Sequence, residues 1–131
     1  MPEYIVERIV FLFNQELKKK LFGAKILVLG VAYKKNVPDV RESPAFEIIN
    51  RLEQLGAHVV YHDPYVPELK EEGHVWRSQP LNGKILSGQD LVLFLTDHTK
   101  LNRKLIAQKA KAIFDTRNAL KDFRSSKIYK L

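Results

Sequence analysis

The chain has 131 residues, 45% of them hydrophobic, with a formal net charge of +7 and no cysteine. This length suits one domain with a proper core, and no apolar run approaches the roughly 20 residues of a membrane span. The lack of cysteine excludes disulfides, thiol catalysis and thiolate metal sites, and no histidine–carboxylate pair has metal-ligand spacing. We expect a cytoplasmic protein with no membrane partner and no bound metal.

The excess of basic residues has several interpretations. Positive charge can attract nucleic acid or an anionic small ligand, and solvated surface charge is the plain alternative. The basic residues are scattered along the chain, and none of them form the aromatic-interleaved stripe that a single-strand binder would use. We therefore predict that nucleic acid is not a partner.

The first predicted element is an amphipathic helix over residues 3–21, with Gly23 as its stop. Its apolar residues recur at helical spacing and form one stripe, made of Val6, Val10, Phe13, Leu17 and Leu21. So much apolar surface needs a partner, either in this domain or beyond it. One hypothesis is therefore a non-catalytic interaction module, in which the helix over residues 3–21 drives homodimerisation or binds another protein.

A βαβ unit follows. Residues 25–32 are almost continuously apolar, which is typical of a strand buried on both faces of a parallel sheet. Ser43 and Pro44 then begin a helix as N-cap and first helical residue, Gly56 ends it, and residues 58–61 form the next strand.

The rest of the chain continues the alternation of strands and helices. Frequent prolines and glycines over residues 64–89 predict loops, one short helix and a minor strand near Val75. The later predicted elements are a strand over 91–96, a helix over 99–110, a strand over 112–114 and a tail strand near 128–131. The predicted fold is α/β, a Rossmann-like three-layer sandwich with a mainly parallel sheet, preceded by one long N-terminal helix.

Two basic loops follow strands of this predicted sheet. Open α/β sheets bind ligands in a crevice at the carboxyl ends of their strands. Tyr33 and Lys34 follow the first strand, and Arg117 follows the strand over 112–114. Lysine offers a point charge to a phosphate, arginine a two-pronged fork, and tyrosine a ring to stack or a hydroxyl to donate. We predict that these three residues contact a phosphate-bearing ligand.

Two further residues are secondary candidates. Arg41 is close to Asp39 in sequence, so an ion pair that orders the loop is as good an interpretation as ligand contact. His98 follows the strand over 91–96, where it would line the crevice. Ser43 is expected only to cap its helix.

The glycine fingerprint of a dinucleotide site is missing. That fingerprint needs glycines for a tight turn and for close approach of the backbone to the pyrophosphate, and only Gly30 is present. Asp63 ends the second strand, where a ribose-binding acid would lie, but the following Pro64 favours a turn or packing role. We predict that this chain alone binds no NAD and no other cofactor.

Several motifs in the same order resemble the C-terminal part of the UDP-glucose/GDP-mannose dehydrogenase family. The matching stretches are Met1–Asn14, Gly30–Lys34, Asp39–Pro44, Asp63-Pro64 and Asp115–Asn118. The form of residues 62–67, together with Thr96-Asp97-His98, looks most similar to enzymes that oxidise UDP-N-acetylhexosamines.

The resemblance implies that separate domains of the complete enzyme bind NAD and the substrate. Complete enzymes of this family have an N-terminal NAD-binding domain, a central helical region with the dimer interface, and a C-terminal domain that covers the UDP of the substrate. Residues 1–22 would then belong to the central helical region and residues 23–131 would form the UDP-sugar-binding domain. The resemblance places Tyr33, Lys34 and Arg117 along the UDP site.

The resemblance also implies that this chain lacks the catalytic and NAD-binding parts of the complete enzyme. The family oxidises a UDP-sugar to a UDP-uronate for polysaccharide biosynthesis, using NAD and a catalytic cysteine. Neither that cysteine nor the glycine fingerprint is in this sequence, so we expect no catalytic residue here. The expected partners are a UDP-sugar and the N-terminal NAD-binding and catalytic portion. Alone, the chain is expected to have no dehydrogenase activity.

Overall fold

A computed structural model describes residues 2–131 of the chain. Its N-terminal helix is shorter than the predicted one. Helix α1 spans Pro2–Phe11 and continues as a π-helical segment over Leu12–Leu17. Lys18 then adopts a left-handed conformation with φ of 53°, and its N–H donates to the carbonyl of Phe13. A left-handed residue cannot continue a right-handed helix, so the helix ends before the lysine run.

The apolar stripe of this helix is covered within the chain itself. Ile9 and Phe13 are fully buried, and α1 packs against the second helix in the same core. The domain itself therefore covers most of this stripe, whereas homodimerisation or partner binding through residues 3–21 stays a prediction.

The other elements alternate much as the sequence predicts. In chain order they are β1 (Lys25–Leu29), α2 (Ala45–Gln54), β2 (His58–His62), β3 (Glu68–Glu71), β4 (His74–Arg77), α3 (Gly83–Ser87), β5 (Leu91–Phe94), α4 (Arg103–Lys109), β6 (Ile113–Asp115) and β7 (Ile128–Lys130).

The main sheet has five strands in the order β2-β1-β5-β6-β7, and every neighbouring pair is parallel. Successive side chains of a strand point to opposite faces. Ile26 and Val28 face the core under α1 and α2, whereas Leu27 and Leu29 face the core that holds residues of α3 and α4. These two cores confirm the three-layer α/β sandwich.

Residues 68–77 depart from the prediction of one minor strand. They form the antiparallel hairpin β3–β4, separate from the main sheet. Glu72 and Gly73 make its two-residue turn with φ of 47° and 82°, and two consecutive positive φ values suit the tight turns of hairpins. The chain then returns to β2, where Ser78 pairs with Tyr61.

Two helix starts show local capping. Asn102 accepts a hydrogen bond from the Leu105 N–H, which is why α4 begins at Arg103 rather than near residue 99. Ser43 Oγ accepts from the Ala45 N–H at 3.1 Å and also donates to the Val31 carbonyl at 2.8 Å. Ser43 therefore binds the first residue of α2 and ties it to the end of β1, but the helix begins at Ala45, so Pro44 and not Ser43 is the N-cap residue. Over residues 2–131, no helix has both the length and the apolar character needed to cross a membrane.

Candidate functional site

The ends of β1 and β5 approach each other very closely. Gly30 follows β1 with φ of 86°, and a Cβ added there would lie 2.4 Å from Thr96 Cβ and 2.6 Å from the Thr96 carbonyl oxygen. Only glycine fits this position, both for its positive φ and for the space. Thr96 Oγ1 also donates to the Ala32 carbonyl at 2.9 Å. These contacts hold the loop after β1 against the loop after β5.

Two cavities adjoin at the carboxyl end of the sheet. One, of about 260 Å³, is lined by Tyr33, Thr96 and Arg117 together with Tyr4 of α1. The other, of about 480 Å³, is lined by Asp97 and Lys130 among others. Both cavities include Thr116, Arg117 and Leu131 in their walls. We call the two together the crevice.

Arg117 lies where the two cavities meet, and Asp115 shapes its loop. The buried carboxylate of Asp115 accepts from the N–H groups of Arg117, Ala119 and Leu120 at 2.8 to 3.1 Å. The guanidinium itself has one acidic neighbour, Asp97, at 3.9 Å from Nε, and the Arg117 side chain is 47% exposed. A long, exposed ion pair is weak, so the guanidinium remains available to an anion in the crevice.

The other two predicted ligand residues come from the loop after β1. Tyr33 is 50% exposed and lines the smaller cavity. Lys34 is exposed beside it but is absent from the walls of both cavities. The structure thus brings Tyr33 and Arg117 to one cavity and leaves Lys34 outside it, next in the chain to Tyr33.

Arg41 forms the ion pair that its sequence position suggested. Its Nε lies 3.0 Å from Asp39 Oδ1 and its Nη2 lies 2.9 Å from Asp39 Oδ2. The side-chain hydrogen bond from Arg41 is the main reason that the pKa of Asp39 falls to about 2. Arg41 lies outside the walls of both cavities, so the ordering role is the one that these contacts support.

His98 does not line the crevice, contrary to expectation. Its side chain is fully buried, with Nε2 2.9 Å from Asp63 Oδ2 and Nδ1 accepting from the Asn36 N–H at 2.8 Å. Both ring nitrogens are therefore already bonded. The reason is that the ring bonds to Asp63 after β2 and to the backbone of Asn36 in the loop after β1, which together bury it.

Asp63 has the packing role that its position before Pro64 suggested. Its Oδ2 accepts from the N–H groups of Val31 and Ala32 at 2.8 and 3.2 Å. In a dinucleotide site the N–H groups after the first strand face the pyrophosphate. Here a buried carboxylate binds them instead, so the loop after β1 does not fit NAD, and no part of the function is assigned to NAD bound by these residues.

Several residues of the crevice were not predicted from the sequence to contact a ligand. Thr116 donates its hydroxyl to the Phe94 carbonyl at 2.7 Å and lines both cavities. Thr116 directly follows β6, and Asp97 follows the strand predicted over residues 91–96, so the rule about carboxyl ends of strands would have found both. Tyr4 and Lys130 reach the crevice through the packing of α1 and β7, for which the sequence carries no local signal. Within residues 2–131, no group of three histidine or acidic side chains is placed to hold a metal ion.

An open parallel sheet with a crevice at its carboxyl ends, which Arg117 and Lys130 line, is typical of a ligand-binding domain of the Rossmann-like class. Comparison with known proteins makes this more specific. Residues 27–122 match the UDP binding domain of the UDP-glucose/GDP-mannose dehydrogenase family. The chain belongs to this family of oxidoreductases.

Relatives and solved structures agree with this assignment. A UDP-N-acetyl-D-mannosamine dehydrogenase from Methanocaldococcus jannaschii is 33% identical over an alignment of 130 residues, and the match covers 92% of this chain and 27% of that protein. The UDP-D-ManNAc dehydrogenase of Pyrococcus horikoshii matches with a TM-score of 0.76 and 26% identity, over 98% of this chain and 30% of its own. The UDP-N-acetyl-mannosamine dehydrogenase of Staphylococcus aureus gives a TM-score of 0.70 and 32% identity over 98% of this chain and 30% of its own. The chain thus spans less than a third of the length of these relatives.

Proposed function

We propose that this chain binds the UDP portion of a nucleotide sugar in the crevice, as the substrate-binding part of a nucleotide-sugar 6-dehydrogenase. One observation carries the proposal. Tyr33 and Arg117, which are 84 residues apart in the sequence, line a single cavity at the carboxyl end of the sheet. The family match over residues 27–122 supports UDP as the ligand.

The crevice offers chemistry suited to a nucleoside diphosphate. The Arg117 guanidinium presents a planar fork of N–H donors to phosphate oxygens. The half-exposed Tyr33 ring presents a face for stacking and a hydroxyl for donation. Such charge-assisted bonds are stronger in a partly dehydrated cavity than in open water. Lys34 would add charge from the loop beside Tyr33 once the ligand extends beyond the smaller cavity.

The wider role rests on the relatives. Those compared above are named for UDP-N-acetyl-D-mannosamine or UDP-D-ManNAc, so we assign the substrate to the UDP-N-acetylhexosamine class. NAD and the catalytic nucleophile would belong to a separate N-terminal portion. Residues 1–22 would belong to the helical region that connects to that portion, and residues 23–131 would form the UDP-sugar site. In this assignment the product is a UDP-uronate for polysaccharide synthesis in the cytoplasm.

A binding experiment tests the site directly. The dissociation constant for UDP is measured by NMR titration of the full chain and of the Arg117→Ala and Lys34→Ala variants. We expect binding around the millimolar range, because the chain spans less than a third of its relatives. Loss of one charge-assisted contact worth about 1.5 kcal/mol weakens binding roughly tenfold.

Lys111→Ala is the matched control. Lys111 is an exposed lysine before β6, at the amino end of the sheet. Its replacement by alanine therefore removes one positive charge, as the other two variants do, but at the end of the sheet opposite to the crevice. The affinity of the Lys111→Ala variant for UDP should equal that of the wild type. Equal weakening in all three variants would show that UDP responds only to net charge, and unchanged affinity in both Arg117→Ala and Lys34→Ala would refute the proposed site.

A second assay tests the expected lack of activity. The pure chain is incubated with NAD and UDP-N-acetylmannosamine, and NADH formation is followed by absorbance. We expect none, since the sequence has no cysteine and the loop after β1 does not fit NAD. Measurable turnover by the pure chain would overturn this part of the proposal.

A further inference from the structure

The loop that carries Tyr33 and Lys34 is fixed at its base and at its tip. At the base, the Tyr33 N–H donates to the Asp39 carbonyl at 2.7 Å. At the tip, Asn36 has φ of 65°, and its N–H donates to His98 Nδ1. We call residues 33–39 the tethered loop. Lys34 lies between its two fixed points.

The tip is held by the loop that follows β5. Besides the bond to His98, the Asn36 side chain exchanges two hydrogen bonds with Thr99. Asn36 Nδ2 donates to Thr99 Oγ1 at 2.9 Å, and the Thr99 N–H donates to Asn36 Oδ1 at 2.8 Å. The Thr99 contacts are exposed, whereas His98 is fully buried. The bond to the histidine is therefore the tip contact that water competes for least.

The bonds of His98 assign its tautomer. Nδ1 accepts from a backbone N–H, so it carries no proton, and the proton of the neutral ring must be on Nε2. That Nε2–H donates to Asp63 Oδ2 at 2.9 Å. Asp63 is itself fixed by the N–H groups of Val31, Ala32 and Tyr65. A continuous chain of hydrogen bonds thus runs from the end of β2 through His98 to the tip of the tethered loop.

We propose that His98 is a positioning residue for nucleotide binding, which acts by holding the tethered loop in the shape that presents Tyr33 and Lys34 to the ligand. The inference rests on the proposed function, because it assumes that these two residues meet UDP. Its physical basis is preorganisation. A loop that is already ordered loses little conformational entropy when the ligand arrives, whereas a free loop must be ordered at the expense of affinity.

Two variants separate this role from a merely structural one. In His98→Asn, the side-chain oxygen is as many bonds from Cα as Nδ1, so it can still accept from the Asn36 N–H while the bond to Asp63 is lost. In His98→Gln, the amide nitrogen is as many bonds from Cα as Nε2, so it can still donate to Asp63 while the bond to Asn36 is lost. Each variant removes one of the two hydrogen bonds of the buried ring, and only His98→Gln releases the loop.

The experiment uses ¹⁵N-labelled full chain. Backbone relaxation of residues 34–36 measures the mobility of the loop, a UDP titration measures affinity, and urea unfolding measures stability. We expect His98→Gln to make the three amides mobile and to weaken UDP binding about tenfold, which is about 1.4 kcal/mol. His98→Asn should keep the loop ordered and bind UDP within about threefold of the wild type, although both variants lose stability.

Two measurements on the wild type need no variant to fold. The ¹⁵N spectrum of the His98 ring should show Nε2 protonated and Nδ1 unprotonated, and the Asn36 amide should be protected from hydrogen exchange. An unprotected Asn36 amide or the opposite tautomer would overturn the proposal.

The binding and relaxation measurements on the two His98 variants also decide whether His98 is a positioning residue. If His98→Asn and His98→Gln weaken UDP binding equally, or only in proportion to their lost stability, His98 is structural and not a positioning residue. If the wild type does not bind UDP, the proposed function fails, and the loop claim is then decided by relaxation alone: mobility confined to His98→Gln supports it, and equal mobility in both variants refutes it. Arg117→Ala should weaken UDP binding without changing loop relaxation.

Discussion

The close approach of β1 and β5 at Gly30 is the contact that builds the crevice, and replacing Gly30 with alanine tests it. The added Cβ would lie 2.4 Å from Thr96 Cβ, 2.6 Å from the Thr96 carbonyl oxygen and 2.9 Å from Thr96 Cα. Two of these atoms belong to the backbone, so rotation of the Thr96 side chain cannot remove the clash. The ends of the two strands must therefore move apart, or the domain must lose stability.

Two terms set the size of the effect. A non-glycine residue at a positive φ costs about 1–2 kcal/mol, and overpacking a rigid site costs about 1–3 kcal/mol. Together they predict that Gly30→Ala lowers the free energy of unfolding by about 2–5 kcal/mol. For a chain of 131 residues, an unfolding entropy of about 2.1 cal/mol/K per residue converts this into a fall in Tm of roughly 7–18 °C.

Gly73→Ala is the matched control, because this variant has the backbone strain of a positive φ but no steric clash of the added Cβ. Gly73 has φ of 82°, and a Cβ added there meets nothing within 4 Å. It should lose only the strain of about 1–2 kcal/mol. Urea and thermal unfolding followed by circular dichroism give both values, and their difference is the steric term. If Gly30→Ala were no more destabilising than Gly73→Ala, the two strand ends would not be in contact as described.

Two further predictions concern the core and the amino end of the sheet. Phe13→Ala should lower the free energy of unfolding by about 3–5 kcal/mol, because Phe13 is fully buried. Phe22→Ala, at a side chain that is 78% exposed, should stay within about 1 kcal/mol in the same urea assay. Equal losses would mean that the π-helical segment after α1 is not part of the core. Burial alone would raise the pKa of Asp90, but hydrogen bonds from the Lys25 N–H and from Lys19 outweigh it and lower that pKa. A carboxyl with a lowered pKa in the folded state adds stability above its unfolded pKa and loses it as the pH falls, so Asp90→Asn should be less stable than the wild type near about pH 7 and equal to it near about pH 2. A stability gap that does not change with pH would contradict the assigned bonds.

The sheet could be predicted because buried parallel strands have an unmistakable composition. Residues 26–29 and 91–94 are continuously apolar in the sequence, and each is buried throughout in the structure. The rule about carboxyl ends of strands then identified Tyr33 and Arg117, which do share a cavity. This rule depends only on strand direction, so it works without knowledge of side-chain packing.

The features that were missed depend on tertiary contacts. The stop of the N-terminal helix at Lys18 rests on one left-handed residue, for which lysine gives no signal. The burial of His98 depends on Asp63, a residue 35 positions away, and on the loop tip at Asn36. A histidine after a strand has the same local sequence whether it faces a ligand or lies beneath a loop, so only the fold distinguishes the two.

The central claim is that the crevice binds UDP, and the most direct test is a map of where UDP binds. The ¹⁵N-labelled chain is titrated with UDP and, separately, with NAD, and amide shifts are followed by NMR. UDP should give saturable shifts that centre on Tyr33, Thr116 and Arg117, and NAD should give no saturable response. Saturable UDP shifts centred on the amino end of the sheet, around Lys25 and Lys111, or no saturable UDP shifts at all, would contradict the central claim.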